Sequence, residues 1–352
     1  NSSNLFTDRE LEEMKGLDYD WLKEAWKPAI QQKHTLSVSG GTEKATYFAG
    51  INYFTQDANL GKQDYQKWNF RTGMTAKITS SLDFSAAVSG NSGDIEKSFT
   101  KASSSINDSY ASSSGGEQAD YGLLLHMPKY IPWETTVNDK QYFMSPFART
   151  DRTIGSPNSN STIAGWNYFA GLNNGSKQIS SDFSYNVNMS LNWKVPFIKG
   201  LSLKGTYART QTSESSEQIQ LPYDLARIMG YEKLDSHLAS SALPTTVNDG
   251  VHNYYQIETN TRGSRVYYNS SRSKSVQATF FIDYNRTFDN HEVGAMFSVE
   301  RSESEFNSSR LAFENTGKDY AGSYQTAGTL TTNSTALKGE QGTLSYLGRV
   351  NY

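Results

Sequence analysis

Connections of alternating length constrain this chain more than any other feature of it. Nine segments alternate apolar and polar residues with the period of a strand: 33–40, 45–54, 65–78, 82–90, 181–195, 201–210, 276–286, 291–301 and 342–352. The clearest runs Phe183, Tyr185, Val187, Met189, Leu191, Trp193, Val195, with Ser, Asn or Lys at most of the positions between. The connections 41–44, 79–81, 196–200 and 287–290 are tight, while 55–64, 91–180, 211–275 and 302–341 are longer. In a meander, successive connections lie at opposite ends of the sheet, so every tight turn falls at one end and every long loop at the other. A soluble antiparallel sheet with one wet face shares the alternation. The parity of the connections is what points to a membrane, because outer-membrane barrels combine short periplasmic turns with long extracellular loops.

The expected fold is therefore all-β: an antiparallel transmembrane β-barrel wall of about nine strands. Apolar residues make up 36% of the 352, and no stretch approaches the ~20 apolar residues of a membrane helix. That absence excludes helical spanning but not a barrel, whose lumen and loops are polar, and the low mean hydropathy of −0.65 suits one. A net charge of −3 with no basic run argues against nucleic acid as a partner. Cysteine is absent, which rules out disulfide and thiol chemistry. The chain opens on Asn1-Ser2-Ser3-Asn4 and closes on Gly348–Tyr352 inside a strand pattern. A nine-stranded sheet with two bare edges would aggregate, so the expectation is a piece of a longer barrel.

The faces agree from strand to strand. Trp68, Phe70, Met74 and Ile78 alternate with Asn69, Arg71, Thr75 and Lys77, and charges keep to the polar face almost every time. A charge at mid-bilayer on the lipid face costs roughly 2–4 kcal/mol, which explains that bias. Tyr47, Trp193 and Tyr284 lie near the tight-turn end, and Tyr53, Trp68, Phe183 and Tyr207 near the long-loop end. Two interfacial girdles account for this placement, as does the plain preference of strands for aromatics.

Residues 1–32 read as a lead-in helical segment, with Leu11, Met14, Trp21, Leu22 and Trp26 among charges and Pro28 ending the pattern. Residues 33–352 read as barrel, with long extracellular loops at 91–180, 211–275 and 302–341. The loops are not empty linkers: Asp120–Trp133 is too apolar for disorder, and Leu221–Leu243 has helical spacing around Leu225, Ile228 and Met229. The Ser-rich stretch Ser103–Gly116 is the expected flexible part.

No enzyme, cofactor or metal site is expected. The five histidines have no metal-ligand spacing. Gly90-Asn91-Ser92-Gly93 superficially matches a serine-nucleophile turn, but small residues are normal where a strand meets a loop.

At His34–Ala49, reading His34-Thr35-Leu36-Ser37-Val38-Ser39-Gly40-Gly41-Thr42-Glu43-Lys44-Ala45-Thr46-Tyr47-Phe48-Ala49, the chain closely resembles an early barrel hairpin of SusC/RagA-type TonB-dependent transporters of Bacteroidetes. Asp18–Trp26 looks like that family's Asp-Trp segment just before the hairpin. Leu124–Pro132 is similar to one of its loops, and Ser345–Tyr352 to a later strand. The resemblance implies a barrel of about 22 strands closed by a plug, and a SusD-like surface lipoprotein as lid. It also implies energy from a TonB–ExbB–ExbD complex acting through regions outside this chain, in an outer membrane whose lipid surrounds the wall.

The function expected is active import of an oligomeric nutrient, either an oligosaccharide or a peptide. A passive porin or a surface glycan-binding or adhesin barrel is the alternative, and a soluble β-rich glycan-binding or glycan-degrading protein a third. Loop aromatics Trp133, Trp166, Tyr168 and Phe169 are the candidates for contact with substrate or lid, with loop packing as their other reading. Leu123, Leu124, Leu125 and Tyr130 are the candidates for contact with the lid.

Overall fold

The computed structural model describes residues 6–98, 117–137, 139–145, 166–229, 254–260 and 264–352. Among the described residues the protein is all-β apart from four short helices: α1 (Asp8–Met14), α2 (Trp21–Ala25), α3 (Glu117–Leu125) and α4 (Tyr168–Asn173). Its strands are β1 (Gln31–Gly41), β2 (Ala45–Asp57), β3 (Gln63–Lys77), β4 (Leu82–Ser98), β5 (Glu134–Val137), β6 (Lys140–Met144) and β7 (Lys177–Lys194). They continue with β8 (Leu201–Gln220), β9 (Tyr223–Met229), β10 (Tyr254–Asn260), β11 (Arg265–Phe288), β12 (His291–Glu314), β13 (Thr329–Leu330) and β14 (Thr335–Asn351).

The main sheet is a ten-stranded antiparallel meander in the order β1-β2-β3-β4-β7-β8-β11-β12, with β13 and β14 both paired to β12. Among the described residues it is open, with β1 and β14 as edges. Its nine long strands fall on the nine alternating segments. A second sheet, β10-β9-β6-β5, is built from loop residues.

The strands are longer than the alternation suggested, and the excess lies at the long-loop end. β11 and β12 stay paired from Phe288↔His291 up to Arg265↔Glu314. This corrects the loop bounds 91–180, 211–275 and 302–341: the connections between paired wall strands run from 99 to 176, from 221 to 264 and, interrupted by β13, from 315 to 334. Beyond the apolar zone both faces of a strand are wet, so segments such as 269–275 lose the polar–apolar period while keeping their ladder. A second correction concerns 221–243, where the helical spacing ends up as strand β9 through 229. Residues 230–243, like Ser103–Gly116, lie outside the described residues. Ser92 sits inside β4, paired with Phe183, with no nucleophile turn around it.

The pairing register gives the inclination of the strands. From Ala49 on β2 the row of direct partners runs through Thr72, Val88, Val187, Arg209 and Val276 to Glu303 on β12. The apolar face is centred on Ala49 in β2, yet in β12 it spans Val293 to Val299, roughly 7 residues below the row. At ~3.3 Å per residue and ~4.8 Å per strand step, the belt slips about 23 Å over about 29 Å of sheet. The strands therefore lean about 40° from the normal of a level apolar belt, within the range required to close a barrel.

The sheet curls so that its polar face is concave. Thr35, Ser37, Asn52, Asn69, Arg71, Ser89, Asn91, Ser184 and Asn186 line a trough of about 680 Å³ on that side. Short polar side chains bridge neighbouring strands across it, as in Asn186 Nδ2 donating to Thr210 Oγ1 at 2.8 Å. The apolar face is convex and bare, with Leu36, Trp68, Met189 and Phe280 all exposed. At the tight end Gly200 takes φ +92°, and a Cβ there would meet the Asn285 carbonyl oxygen at 2.3 Å. Only glycine closes that turn.

The rim of the wall slopes. β1 begins only 5 residues above Leu36, while β12 continues 15 residues beyond Val299. With the lean above, that is about 12 Å of wall at one side and nearly 40 Å at the other.

Candidate functional site at the long-loop end

On the low side of the rim, helices form a cap. Asp20 caps α2 by accepting from the Lys23 N–H at 2.9 Å. That bond, with the Lys129 ammonium 3.3 Å away, holds the Asp20 carboxyl below its usual range. The cap places Trp21 on the inner side of α2, where it is 1% exposed and its indole N–H donates to the Ile131 carbonyl at 2.9 Å. The Tyr19 N–H donates to the Lys129 carbonyl at 2.8 Å. The lead-in helices are thus clamped to the 117–133 segment of the first long loop.

The core of the cap joins Trp21 and Ala25 of α2 to Leu123, Leu124 and Met127, and to Trp166 and Tyr168 at the start of α4. Tyr19, Trp133 and Phe169 pack against it. Trp133 lies edge-on to Trp21 at 6.5 Å and 5.7 Å from Phe169. Asn167 locks the arrangement. Its Nδ2 donates to the carbonyls of Trp133 and Met144 at 2.9 and 2.8 Å, and its Oδ1 caps α4 through the Ala170 N–H.

The structure therefore brings most of the sequence-predicted site residues together but turns many of them inward. Leu123, Leu124, Trp166 and Tyr168 are buried, and Trp133 and Phe169 are half-buried. Tyr130 packs edge-on to Phe6, and burial pushes its phenol up. Leu125 alone of the eight is freely exposed, at 54%. Beside this cap Trp26 and Tyr121 form an exposed edge-to-face pair 6.4 Å apart. Sequence reasoning missed that pair: Tyr121 sits four residues before Leu125, the spacing of one helix face, but nothing marked Trp26 as its partner.

The second sheet ties the cap to the next loop. β6 runs parallel to β9, pairing Phe143 with Leu225 and Met144 with Ala226, and Met144, Leu225 and Ala226 are buried. The Leu221 N–H donates to Ser176 Oγ at 2.9 Å, and Asn174 Nδ2 to the Leu221 carbonyl at 2.8 Å. On the tall side, residues 315–330 fold over Ile219, Val266 and Phe313, and Ala327 is buried among them. Tyr268 and Tyr320 share a hydrogen bond of 2.7 Å, and Tyr320 donates to Glu217 at 3.0 Å. Burial, reinforced by those bonds, raises the Tyr320 phenol far above its usual range. Lys318 reaches across to Asp224 on β9, which also accepts from Thr259 at 2.6 Å. All three long connections are thus cross-linked into one mouth. Among the described residues no group of three or more His, Asp or Glu is placed to hold a metal.

Solved structures of the RagAB peptide transporter superimpose on this arrangement. One covers 96% of this chain and 32% of its own, with TM-score 0.57 and 19% identity. The chain shares the fold of a segment of RagAB. The RagAB importer in its "open-open" state matches over 100% of this chain and 34% of its own, with TM-score 0.52 and 20% identity. In its "closed-closed" state it matches over 94% and 30%, with TM-score 0.53 and 19% identity. The chain spans about a third of the length of these RagAB chains, and the likeness takes in the mouth as well as the wall. It falls where the resemblance of 34–49 to SusC/RagA-type hairpins pointed. No family model and no curated protein matches the sequence.

Proposed function

We propose that this chain forms part of the wall and mouth of an outer-membrane importer of the SusC/RagA type, which takes up an oligomeric nutrient beneath a lipoprotein lid. The observation that carries the reading is the apolar belt, which stays level while the pairing register climbs through it. A soluble sheet has no reason to keep such a belt level across strands inclined by about 40°. The cross-linked mouth at the opposite end from the tight turns fits the extracellular side of such a protein. Peptide is favoured over glycan as cargo because the RagAB structures are those of a peptide importer. Coupling to a TonB–ExbB–ExbD complex rests on the family resemblance alone.

In this reading Leu125, with Tyr121 and Trp26, faces the lid. Leu123, Leu124, Trp166 and Tyr168 support that surface from beneath, and Trp133 and Phe169 are its substrate-side candidates. The test is made in the full-length protein. L125E combined with Tyr121→Ser is expected to reduce co-purification of a surface lipoprotein and growth on the cognate oligopeptide, with outer-membrane yield unchanged. Unchanged co-purification and growth remove the surface from the mechanism. Undiminished uptake without proton-motive force makes the protein a passive pore.

A further inference from the structure

On the convex face, immediately above the apolar belt, three donors converge on one neutral oxygen. Gln211 Oε1 accepts from Tyr185 OH at 3.3 Å, from Arg209 Nη2 at 3.3 Å and from Arg272 Nη2 at 3.2 Å. An amide oxygen has two lone pairs, so it satisfies at most two of the three well. Neither guanidinium has an ion-pair partner among the described residues. Arg209 Nε is buried with no hydrogen-bond partner. The adjacent Lys274 is already paired with Glu305 at 3.4 Å, so the uncompensated charge is that of the two arginines. Two forks and a phenol aimed at one point form a donor set for an anionic oxygen, and guanidinium–phosphate pairs are the strong form of such a bond.

The height of the cluster says where the anion comes from. Up the outward column of β8 the order is Leu201, Leu203, Gly205, Tyr207, Arg209, Gln211, so Arg209 is the first charge above the belt. Descending β11 it is Arg272, Lys274, Val276, Ala278, Phe280. With the lean of the strands, the cluster stands roughly 10–25 Å above the belt centre, the level of lipid headgroups. Tyr185 and Phe183 supply an aromatic flank on β7 at the same height.

We propose that Arg209, Arg272 and Tyr185 bind the phosphate of a phosphorylated outer-leaflet lipid, with Gln211 holding the two guanidiniums in place when the lipid is away. The proposal rests on the membrane-wall reading above, and its test separates the two. Full-length protein extracted from outer membranes is mixed with lipid A carrying its phosphates or with the same lipid dephosphorylated, and retained lipid is counted by native mass spectrometry. The parent should retain the phosphorylated form in clear excess. R209Q/R272Q should lose it roughly tenfold or more, in proportion to two charge-assisted contacts. Gln211→Leu, which removes the internal acceptor and keeps both charges, should retain it. Millimolar inorganic phosphate should not displace it. Equal retention by the parent and R209Q/R272Q, or of both lipids, overturns the site while the wall reading stands. Displacement by free phosphate overturns the lipid as the source. A parent protein that does not fractionate with outer membranes overturns the wall, and the site with it.

Discussion

At the scale of single residues, the two faces of the wall make opposite demands on neighbouring positions. Met189 is exposed on the convex belt, whereas Asn188 hydrogen-bonds to Asn186 on the concave side. Met189→Arg is expected to cost about 2–4 kcal/mol near the midplane and to lower the outer-membrane yield well below that of Asn188→Arg. Equal heat-modifiable bands for the two variants would contradict the facing. Outside the wall, the Asp224–Lys318 link responds to pH. Burial pushes the Asp224 carboxyl up, but hydrogen bonds from Lys318 and Thr259 and the charges of Lys318 and Lys140 outweigh it, and the net shift is downward. A carboxyl lowered in the folded state contributes stability above its unfolded pKa and loses it as pH falls through the folded value. Asp224→Asn should therefore speed amide exchange in 315–330 at neutral pH and have little further effect in strong acid. A mutant difference that grows on acidification would refute the link.

At the scale of elements, the lesson is about period. Each of the nine long strands was legible in the sequence because one of its faces meets apolar surroundings, which forces the alternation seen from Phe183 to Val195. The same strands became illegible where they leave that zone. Glu300–Arg310 carries Ser, Glu, Asn and Arg across both faces, and hydrogen bonding to β11 and β14 keeps β12 extended there. Strand β9 was misread because Leu225, Ile228 and Met229 fit a helical face, while its pairing with β10 and β6 is long-range. The cap failed to show for a similar reason: Trp21 and Ile131 are 110 residues apart, and no local pattern links them. Trp21→Ala should cost the cap about 3–5 kcal/mol through cavity and lost contacts. Limited proteolysis should then cut between Glu117 and Trp133 while the wall resists. A variant as resistant as the parent would show that the cap does not depend on this core.

For the whole molecule, the prediction concerns sides. Tyr324 is exposed on the tall side of the mouth, and Asp289, at φ +50°, forms with Asn290 the turn between β11 and β12 at the other end. Tyr324→Cys should be labelled by an impermeant maleimide on intact cells, and Asn290→Cys only after the outer membrane is breached. The reverse pattern would invert the protein and move the mouth to the periplasm. The global architecture was readable because loop parity is a topological property that survives any error in strand ends. The candidate site was less readable, since aromatic residues in a loop look alike whether they pack inward, as Trp166 does, or face outward, as Trp26 does.

The slope of the rim has a mechanical consequence. The tall flank formed by β8, β11 and β12 is a continuous hydrogen-bonded ladder and is stiff, like the back of a chair. The low flank at β1–β3 is completed by helices held on by one small apolar core, the Lys129 ion pairs, the Trp21 indole, the capping Asn167 and a handful of backbone bonds. Ladders of this kind open only with global unfolding, whereas small helical units loosen at much lower cost. Any body seated on the mouth would bear on the unyielding flank and rock towards the compliant one.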